Sequence, residues 1–260
     1  MANAKDNLKR YTRLRNLTAT LETFIFGGYR MLAKHNIDAA SHGVSISECT
    51  YSPWKINNEF NDLYEKIKNY TLVDKRKLYE LWSLSRQLKF VRGHYIEIGV
   101  WRGGSGVLLG KTLMDHGAGE KIYLCDTYEG MPAITDQNDN FYKGGELADT
   151  STEMVHQLAH DVGLNNVEIL KGIFPRDTAS MIPSNEVFKL VHIDVDIYSS
   201  AKETMAWVWG RMPSGGMVIF DDYGYSATEG VTRFVHEFMN ERNDALFIFN
   251  LLGHGIVIKR

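Results

Sequence analysis

Apolar positions recur at three- and four-residue steps through the first ninety residues. Leu8, Tyr11, Leu14, Leu17, Leu21 and Phe24 form one stripe, and that period is the helical one. The stretch SHGVSISECTYSP (41–53) interrupts it and reads as a loop. Ile56, Phe60, Leu63, Ile67 and Tyr70 mark a second amphipathic helix, and Leu78, Leu81, Leu84 and Leu88 a third. Such stripes cover a sheet edge, roof a substrate site or bind another subunit, and covering a core is the plainest expectation.

From residue 94 the texture changes to strand–helix alternation, the mark of a parallel sheet with crossover helices. HYIEIGV (94–100), KIYLCDT (121–127), VEILKGI (167–173), FKLVHIDVD (188–196) and GGMVIFDDY (215–223) read as strands. Helices are expected over 103–116, 151–163, 174–182 and 199–212. The tail, ALFIFNLL (245–252) then GHG and IVIKR, reads as an antiparallel hairpin. Five parallel strands and a hairpin predict an α/β protein with the seven-stranded sheet of the class I methyltransferase (Rossmann-like) fold, rather than a dehydrogenase sheet. The domains expected are an N-terminal helical extension or cap over 1–92 and a cofactor-binding domain over 93–260. Within the latter, 129–151 is long and irregular and is a candidate lid.

Composition narrows the partners. The chain has 260 residues, a net charge of −3, 44% hydrophobic and 23% charged residues, an ordinary globular balance with no electrostatic reason to bind nucleic acid. Two cysteines, Cys49 and Cys125, make no disulfide framework, so a reducing compartment is expected. Charges break every apolar run of the N-terminus, so no signal peptide is expected, and no segment has the length of a membrane span. A soluble, cytoplasmic protein is expected.

The run EIGVWRGGSG (97–106) follows the first strand and opens a helix. Glycines there permit a tight turn and close backbone approach to a ligand. Its E-x-G-x-x-x-G spacing is not the dinucleotide fingerprint. A carboxylate at Glu97 suits a cationic ligand and is awkward beside a pyrophosphate, so S-adenosylmethionine is favoured over NAD. Glu97, Gly99, Trp101, Arg102, Gly103 and Ser105 are candidate cofactor contacts. Asp126, with Thr127, ends the second strand, where an acid accepts hydrogen bonds from ribose hydroxyls. Gly172 and Ile173 end the third, where an adenine is flanked.

Asp194 and Asp196 stand two apart, which in a strand puts both carboxylates on one face. FDDYG (220–224) adds Asp221 and Asp222 at the end of the neighbouring strand. Two carboxylates ~5 Å apart repel by roughly 3 kcal/mol at an effective dielectric of about 20. A divalent cation resolves that repulsion, and all-oxygen ligands select Mg²⁺ first, with Mn²⁺ or Ca²⁺ behind. Such an ion also lowers the pKa of an alcohol, and a free carboxylate can take its proton. Asp194, Asp221 and Asp222 are assigned to the metal and Asp196 to the proton. The bland alternative has Asp196 capping the helix near Ser199 and the other pair making a turn.

IEIGVWRGGS, DTYEGMP, HIDVDIYSS and FDDYG resemble the macrocin and novobiocin type of O-methyltransferase, which tailors sugars on antibiotics, over roughly residues 71–260. The resemblance implies S-adenosylmethionine, Mg²⁺ and assembly into homodimers or larger oligomers. It puts metal ligands on Asp194, Asp221 and Asp222, the general base on Asp196, the cofactor loop on Glu97 to Ser105 and the ribose acid on Asp126. TLVDKRKLYEL (71–81) resembles the stretch beside the cofactor's methionine part and adds Thr71. The function expected is methyl transfer to a hydroxyl of a glycoside or polyol, most simply on a specialised metabolite, with no nucleic-acid or membrane partner. A catechol- or phenol-methylating enzyme, a non-catalytic nucleoside-binding module and a dehydrogenase are the rivals.

Other features carry less. His156 and His160 stand i, i+4 but lack the Glu of H-E-x-x-H, so surface histidines are expected. His192 is expected to be structural, with orientation of a metal ligand as an alternative. Trp207 and Trp209 are expected to pack. Tyr128, Met131, Phe141, Tyr142, Tyr198 and Tyr223 are candidate acceptor-pocket residues.

Overall fold

The computed structural model describes residues 2–33, 36–47, 49–117, 119–133, 139 and 141–260, without the side chains of 2–8 and 11. Residues 134–138 and 140 of the expected lid, and the Leu8 and Tyr11 side chains, lie outside the described residues. The chain divides into two compact units, Met1–Ser52 and Pro53–Arg260.

In the first unit one helix, α1 (Ala2–Leu32), precedes irregular chain. Within this unit its apolar stripe is not covered: Leu14, Leu17, Leu21 and Phe24 are all exposed.

The larger unit holds α2 (Asn58–Ile67) and α3 (Lys75–Gln87), started by side-chain caps. Asn57 accepts from the Phe60 N–H and Asp74 from the Arg76 N–H, satisfying donors that a first turn leaves free. Phe60, Leu63, Ile67, Leu78 and Leu81 are buried, so these two stripes do cover a core. The two helices, expected as part of the N-terminal extension, thus belong to the sheet-bearing unit.

The sheet comprises β1 (His94–Ile98), β2 (Ile122–Asp126), β3 (Val167–Lys171), β4 (Phe188–Ile193), β5 (Met217–Phe220), β6 (Ala245–Phe249) and β7 (Gly255–Lys259). Their order is β3-β2-β1-β4-β5-β7-β6. The first five are mutually parallel, and β7 pairs antiparallel with β5 and β6. The expected class I sheet and hairpin are both present. Crossovers run through α4 (Gly104–Met114), α5 (Thr152–Val162) and α6 (Tyr198–Val208). One face of the sheet packs on α2 to α5, with Tyr95, Leu124, Leu190 and Ile219 inward. The other packs on α6 and α7 (Glu229–Asn240), with Ile96, Cys125, Val191 and Val218 inward.

Two expectations change. The segment 174–182 forms only a short 3₁₀ turn at Ala179–Met181, as Pro175 and Pro183 deny it amide donors at both ends. Helix α7 was not foreseen, although Val231, Phe234, Val235 and Phe238 have helical spacing and bury or pack on the second core. Among the described residues no helix is long and apolar enough to cross a membrane.

Candidate active site

Register brings the acids together. Ile193 of β4 pairs with Ile98 of β1 and Phe220 of β5, so the next residues, Asp194 and Asp221, emerge at adjacent carboxyl ends. The Asp194 N–H donates to Ile98 at 2.9 Å and the Asp221 N–H to Ile193 at 3.0 Å. Strand β4 ends at Ile193, so strand parity does not govern Asp194 and Asp196. A turn does: Asp196 has φ 62, a left-handed conformation costly for a residue other than glycine. Its N–H donates to Asp222 Oδ2 at 2.9 Å, which holds the turn. All four aspartates line one cavity of about 420 Å³, a size suited to a small-molecule site.

Carboxylate oxygens of Asp194, Asp221 and Asp222 lie within 4.8 Å of one another. Burial, then Asp221, pushes the Asp194 carboxyl well above its usual range. Burial, then Asp196 and Asp194, does the same to Asp222. Asp196 is raised by burial, against the opposing hydrogen bonds of Asp222 and Tyr142. An oxygen-only cluster whose members cannot comfortably ionise together fits a hard divalent cation.

Asp221 differs. Burial alone would raise it, but Lys77, His192 and His254 hold it well below the usual carboxylate range. Lys77 Nζ donates to Asp221 Oδ2 at 2.5 Å, and His254 Nε2 lies 2.9 Å from Oδ1. His254 Nδ1 in turn meets Glu80 Oε2 at 2.5 Å. His192 Nε2 stands 3.5 Å from Asp221 Oδ1, an ion-pair distance rather than a tight hydrogen bond, while its Nδ1 meets Glu97 at 2.7 Å. Although burial opposes a charged imidazole, Asp221 and Glu97 raise the His192 pKa to about 10. His192, Asp221 and His254 also have metal-ligand proximity, but their mutual contacts and the carboxylates of Glu97 and Glu80 already account for them.

The cofactor end is built from the loop after β1. A Cβ on Gly99 (φ 84) would fall 1.7 Å from the Asp194 carbonyl oxygen, so this glycine is required by the approach of two strand ends rather than by a ligand. Asp126 Oδ2 accepts from the Val100 and Trp101 N–H groups at 2.7 and 2.9 Å, and Oδ1 from the Tyr128 N–H at 2.7 Å. Its carboxylate braces this loop before it meets any ribose. Thr71, Gly99, Trp101, Ser105, Asp126, Thr127, Gly172 and Ile173 line the same cavity as the acids. Glu97, Arg102 and Gly103 do not. Glu97 is wholly buried against its cross-strand neighbour His192. Arg102 turns to Asp149, and Gly103 (φ 94) precedes α4.

From the 129–151 segment, Met131 and Tyr142 line the cavity, and the Tyr142 hydroxyl donates to Asp196 Oδ1 at 3.2 Å. Asp139 accepts from the Tyr198 N–H with both oxygens at 3.0 Å, so it, not Asp196, caps α6. Phe141, Tyr128, Tyr198 and Tyr223 do not line the cavity; Tyr198 bonds Glu237 and Tyr223 bonds His236. His156 and His160 are exposed, and Trp207 and Trp209 pack on the second core. Sequence reasoning missed Lys77, Glu80 and His254. A lysine three residues past the Asp74 cap carries no local signal, and only the fold shows that it points at Asp221.

The macrocin O-methyltransferase (TylF) family model matches residues 60–256. A tetracenomycin-C 4'-O-methyltransferase of Streptomyces olivaceus is 29% identical over 175 residues, 64% of this chain and 65% of that protein. Mycinamicin III 3''-O-methyltransferase of Micromonospora griseorubida is 27% identical over 65% of this chain and 69% of that protein. The match thus spans about two thirds of these relatives' length. The structure of the O-methyltransferase NovP superposes with a TM-score of 0.65 at 22% identity, covering 74% of this chain and 82% of that one. The calicheamicin methyltransferase CalS11 gives 0.64 at 14% identity, covering 87% and 98%. With a model match over most of its length, a class I sheet and paired acids at the two expected strand ends, the chain belongs to the macrocin O-methyltransferase (TylF) family.

Proposed function

We propose that this protein is an O-methyltransferase that uses S-adenosylmethionine and a divalent cation, Mg²⁺ first, to methylate a sugar hydroxyl of a specialised metabolite. The observation that carries this is the continuity of one cavity. At one end lie the strand-tip residues Asp126, Gly172 and Ile173, at the other Asp194, Asp196, Asp221 and Asp222. Family membership supplies the reaction class, and the named relatives act in antibiotic pathways.

When bound, S-adenosylmethionine supplies an electrophilic methyl group, and the cation makes a neighbouring hydroxyl more acidic. Asp194, Asp221 and Asp222 would hold the cation. Asp196 takes the proton of the acceptor hydroxyl on a carboxylate oxygen, and its left-handed turn aims that oxygen into the cavity. Asp126 keeps the loop after β1 in the shape that lets Thr71, Trp101 and Ser105 flank the cofactor. Met131 and Tyr142 narrow the acceptor end and exclude water there.

The test incubates the full chain with S-adenosylmethionine and a panel of deoxysugar glycosides, with Mg²⁺ or with EDTA, and reads products by mass spectrometry. A product one methyl heavier, lost with EDTA and restored by Mg²⁺, is the expected result. Methylation unaffected by chelation removes the metal from the reading; a phenolic acceptor used in preference to every glycoside replaces the sugar.

A further inference from the structure

Lys77 is a cation of the acidic crevice to which neither the family resemblance nor the proposed chemistry gives a role. It sits in the first turn of α3 and is only 4% exposed, so its ammonium needs partners within the protein. Nζ donates to the Asp221 carbonyl at 2.7 Å and to Asp221 Oδ2 at 2.5 Å, and the Tyr225 ring centroid lies 5.0 Å away. Asp221 Oδ1 is meanwhile engaged by His254. Both oxygens of this proposed ligand are therefore already contacted from the side of α3 and the β6–β7 turn. Among the described residues, Asp194, Asp196 and Asp222 form no ion pair at all.

We propose that Lys77 is a built-in competitor of the divalent cation: it holds the Asp221 side chain in place when no metal is present, and it weakens metal binding by contesting the same carboxylate. This deepens, and rests on, the metal-dependent reading of the site. The physical ground is simple. A lysine ammonium and a dication that share one carboxylate stand a few ångströms apart, where like charges repel strongly in a partly desolvated crevice. Removing the ammonium leaves the same four carboxylates with one positive charge fewer, which favours an incoming cation. Removing it also leaves a buried carboxylate short of its partner, which disfavours the metal-free fold. The two effects have opposite signs. A lysine that merely braced the fold would give only the second.

The experiment uses the full chain, stripped with chelator and dialysed, as wild type, Lys77→Met and Lys77→Arg. Mn²⁺ alone is titrated by calorimetry and by its electron-spin signal, and melting is followed with and without Mn²⁺. Lys77→Met is expected to bind Mn²⁺ about tenfold or more tightly than wild type, and Lys77→Arg, which keeps the charge, within about threefold of it. Metal-free Lys77→Met is expected to melt below wild type, with saturating Mn²⁺ closing most of the gap. Mn²⁺ affinity in Lys77→Met equal to or weaker than wild type overturns the proposal while leaving the metal-dependent reading intact. Binding by Lys77→Met but not by wild type supports the competition and overturns that reading instead. Binding by neither overturns both. Should Lys77→Met fail to fold without metal, refolding in Mn²⁺ is the expected rescue, and failure of that rescue also overturns the proposal.

Discussion

The two sides of the acidic crevice are made from the same side chain and behave as opposites. On the side of α3 and the β6–β7 turn, Asp221 is enclosed by Lys77, His192 and His254 and is held ionised. On the side of the 129–151 segment, Asp194, Asp196 and Asp222 face one another and are pushed toward the protonated form. Residue type does not set this difference. Partners brought from positions 77, 192 and 254 do, and they divide the four aspartates into an anchored anion and three that need a positive charge or a proton.

The largest expected effect falls on the uncompensated side. Asp196→Asn removes the proton acceptor while keeping its shape and its N–H contact with Asp222. Turnover is expected to fall by about 10²–10⁴-fold. S-adenosylmethionine affinity, read by calorimetry, is expected to stay within about threefold, and Mn²⁺ is still expected to bind, about tenfold more weakly, because the three proposed ligands are untouched while one nearby negative charge is lost. A variant retaining most of its turnover would assign the proton to another group and erase the functional half of the contrast.

Stability should split the same way. Asp221→Asn strips the anion from three buried partners and is expected to cost about 3–5 kcal/mol. Asp194→Asn relieves repulsion and is expected to leave metal-free stability unchanged or higher. Urea denaturation in EDTA measures both. If the two variants lose equal stability, Asp221 is not the anchored member and the contrast fails.

How much of this was legible in the sequence follows from the range of the interactions. The succession of strands, the hairpin and the strand-tip acids are local patterns, legible in segments such as FKLVHIDVD, GGMVIFDDY and ALFIFNLL. The exposed stripe of α1 and the buried stripes of α2 and α3 have the same period, so periodicity told that each was a helix but not what covers it. Parity placed Asp194 and Asp196 on one strand face; the structure ends β4 at Ile193 and reaches a similar convergence through a left-handed residue. Glu97 was read as a ligand contact because a carboxylate near a strand tip suits a cationic ligand. Its register partner is His192, 95 positions away, a pairing no local motif encodes. Lys77 and His254 were missed for the same reason.

A third expected effect is the pH dependence of the anchored side. His192 has its folded pKa raised to about 10 from an ordinary value of 6.5. Its stabilising contribution is therefore complete below 6.5 and is lost as pH rises through about 10. Metal-free stability is expected to decline across that window by up to about 1.4 kcal/mol per pH unit for one proton. His192→Gln should flatten the decline, as followed by urea midpoints at successive pH values. Asp194 and Asp222 add to the metal-free slope from lower pH, since carboxyls with raised pKa lose stability as they ionise. Mg²⁺ should cancel their share and leave that of His192. A slope that Mg²⁺ abolishes entirely would place His192 on the metal-responsive side.

The smallest effect tests the reach of the 129–151 segment. The Tyr142 hydroxyl donates to Asp196 Oδ1 at 3.2 Å, and a hydrogen bond to the charged form lowers a carboxyl pKa. Tyr142→Phe keeps the ring and removes only that bond. The Asp196 pKa is expected to rise further. The acid limb of the pH–turnover profile should move upward accordingly, with turnover at alkaline pH close to wild type. This direction is diagnostic. A segment that only shapes the acceptor pocket would change KM at every pH and leave the limb in place, and the uncompensated side of the crevice would then owe its protonation state to β4 and β5 alone.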